Sequence, residues 1–240
     1  MKTTRLKDLI FVLALTFMAL GRPSDVEAEV LAIGNSGTQA CLLLIEGEIT
    51  RQTLIKFSEE LETKRDESTC QRSQNGKPSK SFIKAVALVN SIGGDLRAAF
   101  QIMTLIKQHH LNTFLDTGLA GEGKCQSACA LIFASGKNRH FSDRFKRMRM
   151  DNNIIGIHKP EFTEGNYDYL KNEQALDKLK YRIVDFLDQN NVDPRFVIRM
   201  YETPSSNMYY PEISDLLIWR VITSLHPPES LKKALRSAVQ

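Results

Sequence analysis

The chain has 240 residues, 42% of them hydrophobic, and a formal net charge of +4. That length suits one domain with a sizeable core, and a charge this small points to no nucleic-acid partner. Beyond Leu20 no apolar run approaches the roughly twenty residues that a membrane-spanning helix needs.

The N-terminus reads as a targeting segment. Lys2, Arg5 and Lys7 form a basic region, Leu9 to Leu20 an apolar one, and Val26-Glu27-Ala28 a small-x-small cleavage site. We therefore expect a signal peptide over 1–28 and a single mature domain over 29–240, periplasmic or secreted. An uncleaved anchor is the alternative. Removing four basic and three acidic residues leaves the mature chain at +3.

Residues 40–49 read as a buried strand ending in a glycine turn. Thr50 is placed to cap a helix over 51–64, with Leu54, Phe57, Ser58 and Leu61 at helical spacing. Residues 65–80, with Asn75-Gly76 and Pro78, form a polar loop. A second strand covers 82–89, and the turn Asn90-Ser91-Ile92-Gly93-Gly94 leads into a helix with Leu96, Ala99, Phe100, Met103 and Ile106 on one face. His109-His110 reads as its polar end rather than a metal site. Strands follow at 111–115 and 154–157, separated by a helix at 128–134 that is apolar all round. Arg139, Arg144, Lys146, Arg147 and Arg149 mark a basic, solvated loop over 139–149. A long amphipathic helix spans 167–189, with Leu170, Ala175, Leu179, Ile183 and Phe186 near one face. Asp193-Pro194 opens another helix, Pro211 to Ser214 begins a short one, and 219–225 reads as a last strand. The alternation argues for an α/β fold with a largely parallel sheet.

Chemistry concentrates in three stretches. Ser127 sits between small residues in Cys125-Gln126-Ser127-Ala128-Cys129, at the start of an apolar run. His158 ends another in Gly156-Ile157-His158-Lys159-Pro160. A serine hydroxyl hardly ionises at neutral pH, so it needs a base such as histidine to take its proton as it attacks. The N–H groups of Gly93 or Gly94, with that of Ala128, are placed to stabilise an oxyanion. These features predict an exported serine hydrolase that needs no cofactor and no metal. The four cysteines, Cys41, Cys70, Cys125 and Cys129, permit two disulfides in any of three pairings. No histidine lies at zinc-ligand spacing from them.

The motifs Asn90-Ser91-Ile92-Gly93-Gly94, Ser127 before a buried helix, and Ile157-His158-Lys159-Pro160, in that order, resemble the ClpP-like serine peptidases of the ClpP/crotonase superfamily. The likeness covers roughly residues 40–225. It is closest to exported members with a cysteine on each side of the serine. The resemblance implies a ClpP/crotonase-like spiral of ββα units, a homo-oligomer, and peptides or unfolded protein as substrate. It also implies Ser127 as nucleophile and His158 as general base. The chain departs from the pattern twice: Ile92 stands where the family has proline, and the acid position falls near 205–210, where the best match is Asn207. Asparagine orients a histidine but supplies no charge. Asp168, Asp215 and Glu202 are alternative acids. Two other functions compete: a non-catalytic binding or assembly module, and a crotonase-like acyl-CoA enzyme, against which export argues. No phosphate-binding loop is present, so unfolding energy would come from a separate ATPase.

Overall fold

The computed structural model describes residues 29–34, 41–66, 83–116, 123–142, 154–161 and 169–229. The expected signal peptide, the polar loop around Cys70 and the residues 143–153 lie outside them. Strands β1 (Glu29–Gly34), β2 (Cys41–Ile49), β3 (Ile83–Gly94), β4 (Asn112–Asp116) and β6 (Arg139–Ser142) follow one another in a single sheet. All its pairs are parallel except β1 with β2. A second, parallel layer branches from β3 through β5 (Cys125–Gln126) to β7 (Ile155–Gly156). The fold is thus the expected α/β class with a mostly parallel sheet.

Strand β3 is buried from Ala85 to Val89 and β2 at Leu42, Leu43, Ile45 and Ile49, as apolar runs in a parallel sheet require. Helix α1 (Arg51–Asp66) begins where Thr50 Oγ1 accepts the Thr53 amide and Thr53 Oγ1 accepts the Thr50 amide, a reciprocal cap. Asp95 caps α2 (Leu96–Gln108) by accepting the amides of Arg97 and Ala98. Ala99, Met103 and Ile106 point into the core as their spacing predicts. Among the described side chains of the long helix α4 (Tyr169–Asp188) the buried positions are Leu176, Ile183 and Leu187. The expected Ala175 is exposed, because the inward stripe runs one residue later there. Helices α5 (Arg195–Glu202) and α6 (Ile213–Ile218) complete the chain order.

Four local readings need correction. The glycine at 47 does not end β2; it has φ +90 and marks a bulge between Glu46 and Glu48. The glycine pair at 93–94 is the end of β3 rather than a free turn. Here β3 swings from β4 to β5 at Asn90 (φ +44), so that Ser91 pairs with Cys125 while Gly93 and Gly94 remain beside β2. Residues 219–225 form no strand: Trp219, Val221 and Ile222 are buried in turns, and Ser224 makes one bridge to His140.

The fourth concerns Arg139, which is a strand residue only 2% exposed, not part of a solvated loop. Its guanidinium donates to the carbonyls of Gly136 (2.6 Å), Asn190 (3.2 Å) and Arg220 (2.8 and 3.1 Å). Those carbonyls follow the C-termini of α3 (Ala128–Ala134), α4 and α6, where helix dipoles present negative charge. Burial, with Arg220 nearby, lowers its pKa to about 10. One side chain therefore satisfies three helix ends. A sequence window cannot show this, since the acceptors lie up to 81 residues away.

Candidate active site

The site is assembled at the ends of β5 and β7. Their register pairs Cys125 with Ile155 and Gln126 with Gly156, and the Ser127 amide donates to the Gly156 carbonyl at 2.8 Å. Ser127 thus stands one step past β5 and His158 two steps past β7, at the same end of neighbouring parallel strands. Parallel neighbours lie about 4.8 Å apart, so the two residues stand at adjacent strand ends.

Ser127 joins β5 to α3 with φ 53 and ψ −121, a backbone conformation that a non-glycine residue rarely adopts. This turn lifts the hydroxyl-bearing residue out of the strand while the chain behind it enters a helix whose seven residues are all buried. Cys125 and Cys129 form a disulfide across the turn, with Cα atoms 5.2 Å apart and both residues 0% exposed. With Cys125 and Cys129 joined, the remaining candidate for Cys41 is Cys70, which lies outside the described residues.

Gly93 packs directly on this turn. A Cβ there would lie 2.6 Å from Ser127 Cβ, 2.7 Å from the Gln126 carbonyl and 3.0 Å from the Ala128 amide nitrogen. The residue also has φ +94, so only glycine fits on both counts. Gly94 serves another contact: a Cβ there would meet the Ile49 carbonyl at 2.2 Å. The structure therefore brings Gly93, Ser127 and Ala128 together and seats Gly94 against β2. The Gly93 amide donates to Ser91 Oγ at 3.3 Å, a long bond inside the buried turn.

His158 is held by its own neighbour. Nδ1 lies 3.0 Å from the Lys159 carbonyl oxygen. A carbonyl only accepts, so Nδ1 is the donor, and whenever the ring is neutral this tautomer leaves the Nε2 lone pair free. The flanking backbone is clamped: Ile157 and Tyr209 exchange both amide bonds (2.9 and 3.0 Å), and the Lys159 amide donates to the Thr203 carbonyl at 2.8 Å. Lys159 Nζ pairs with Glu173 of α4 at 3.1 Å. No hydrogen bond joins Ser127 to His158, or Asn207 to His158, among the described residues. Asn207 is exposed, and its amide donates to the Pro204 carbonyl. Of the alternative acids, Glu202 pairs with Arg199 at 3.3 Å, Asp215 lies on α6, and Asp168 is outside the described residues. His109 and His110 close α2 as expected, and no cluster of metal-ligating side chains occurs among the described residues.

A family model, Clp protease, matches residues 45–202. The chain belongs to the Clp protease family. That span takes in Gly93, Ser127 and His158 and stops before Asn207. Among solved structures, an asparagine-to-aspartate mutant of ClpP1 from Listeria monocytogenes superposes with a TM-score of 0.52. It shares 15% identity, over 79% of this chain and 94% of that one. At that identity the likeness shows the ClpP-like fold alone. No curated protein matches the chain significantly. Clp proteases are serine peptidases in general. No helix among the described residues is long and apolar enough to cross a membrane.

Proposed function

We propose that the chain is an exported, homo-oligomeric ClpP-like peptidase that cleaves peptide bonds with Ser127 as nucleophile and His158 as general base. The observation that carries this reading is the backbone of Ser127. A strained conformation costs of order 1–3 kcal/mol and persists where the surroundings enforce it, as Gly93 and the Cys125–Cys129 bridge do here.

In the proposed reaction His158 Nε2 takes the Ser127 proton as Oγ attacks the substrate carbonyl. The tetrahedral oxyanion accepts from the Ala128 amide, which has no acceptor among the described residues, and from the Gly93 amide once Ser91 Oγ yields it. The imidazolium then protonates the leaving amine. The Lys159 carbonyl fills part of the role of a third residue, since it sets the tautomer and ring orientation but offers no full negative charge to the imidazolium. Turnover is therefore expected to be slow. In this reading Asn207 takes part only where it comes within hydrogen-bond reach of His158. The basic n-region and apolar run at residues 2–20 support export.

One observation favours a second reading, a non-catalytic binding or assembly module: among the described residues no carboxylate hydrogen-bonds His158. A fluorophosphonate probe separates the two. Labelling of Ser127, lost in His158→Ala, supports the peptidase; a folded, oligomeric sample that stays unlabelled supports the module.

A further inference from the structure

The residue just before the nucleophile makes a contact that the proposed reaction leaves unexplained. Gln126 Nε2 donates to Tyr210 Oη at 2.8 Å, over a sequence separation of 84 residues. Tyr210 belongs to the segment that also clamps the His158 strand through the Ile157–Tyr209 pair and the Lys159–Thr203 bond. Between Gln126 and that segment runs Gly156, paired with Gln126 in the register. A Cβ on Gly156 would meet Met208 Sδ at 2.7 Å, Met208 Cγ at 2.8 Å and Tyr210 Cε1 at 2.9 Å. Glycine at 156 is what lets the 208–210 segment lie close over β7 and its tyrosine reach β5.

We infer that the Gln126–Tyr210 hydrogen bond is a clasp that positions Ser127 relative to His158. Both ends of the clasp serve that purpose. Gln126 is covalently next to Ser127, and its carbonyl lines the space beside Gly93. Tyr210 follows directly on Tyr209, which pairs with the residue before His158. Among the described residues the nucleophile strand and the base strand are otherwise joined by two register pairs, a short ladder for holding two reacting groups in line. A side-chain bond across β7 adds a third point of attachment from the far side. Gln126 and Tyr210 are positioning residues, and the inference rests on the reading of Ser127 as nucleophile.

The test uses the full mature chain as wild type, Tyr210→Phe, Gln126→Met and the double variant. Two quantities are read: the inactivation rate and half-saturation concentration for a fluorophosphonate, and amide exchange of peptides covering 123–130. Removing one partner of a half-buried hydrogen bond is expected to slow inactivation roughly three- to tenfold at unchanged half-saturation. The double variant should be no slower than either single, because partners in one bond are not additive. Exchange should rise in 123–130 and not across α2. Inactivation at the wild-type rate with unchanged exchange in Tyr210→Phe overturns the clasp, as does a uniform rise in exchange through the core. If the wild-type protein never labels at Ser127, the nucleophile reading fails, and the clasp is then decided by exchange alone: faster in 123–130 upholds it, unchanged sinks it.

Discussion

Replacing Ser127 by glycine and by alanine tests whether its backbone is as strained as its dihedral angles say. At an ordinary site alanine is the more stabilising of the two by about 0.4–1 kcal/mol, because glycine has more freedom to lose from the unfolded chain. At φ 53 and ψ −121 the order should reverse. A sparsely populated positive-φ conformation of this kind costs an L-residue of order 1–3 kcal/mol, and that penalty applies to alanine as to serine but not to glycine. Subtracting the entropic term leaves glycine ahead by about 1 kcal/mol. In a domain of this size that is a Tm difference of roughly 2–4 °C. The Cβ removed is the one that faces Gly93, so no cavity of consequence opens. Urea titration of both variants, with equal m-values as the check on two-state behaviour, reads the difference directly. Both variants should be inert to fluorophosphonate. Alanine more stable than glycine by 0.5 kcal/mol or more would refute the strain argument, and with it the main support for Ser127 as the nucleophile.

Gly93→Ala should cost about 2–5 kcal/mol, from positive φ plus a Cβ placed 2.6 Å from Ser127 Cβ, and should slow fluorophosphonate labelling of Ser127 about a hundredfold; wild-type stability would show that the turn has room to give. Arg139→Met strands the carbonyls of Gly136, Asn190 and Arg220 and should cost about 3 kcal/mol or more in urea unfolding. The Cys125→Ser, Cys129→Ser pair should lose about 2 kcal/mol, as the short loop between the two cysteines implies; in the native protein the bridge, 0% exposed at both ends, should resist dithiothreitol until denaturant is added, as followed by alkylation and mass spectrometry. Asp193, bonded to Arg195 at 2.8 Å, titrates at about 2 in the folded state, below its ordinary value. Its contribution is therefore complete above pH 4 and should fade as the pH drops towards 2, a fade that Asp193→Ala lacks in acid-induced melts.

Much of the site was legible in the sequence because it is written in local chemistry. A serine among small residues before an apolar helix, a histidine at a strand end and a glycine pair are short-range patterns, and Gly93, Ser127 and Ala128 do meet. Asn207 shows the limit of such matching: the family's order pointed to it as the partner of His158, while in the structure His158 Nδ1 hydrogen-bonds the Lys159 carbonyl. Gln126 and Tyr210 carried no signal at all, since neither residue type is unusual where it stands.

Hydrophobic patterning determined the α/β class, the inward face of α2 and the buried helix α3, because burial acts on each segment's own side chains. Only the tertiary structure decided that Arg139 is buried, that β3 bends from β4 to β5 at Asn90, and which of the two glycines touches Ser127. Each of those depends on groups that become neighbours only after the sheet has formed. A guanidinium is a surface charge until three helix ends converge on it, and a glycine is a turn residue until another backbone occupies the space of its missing Cβ.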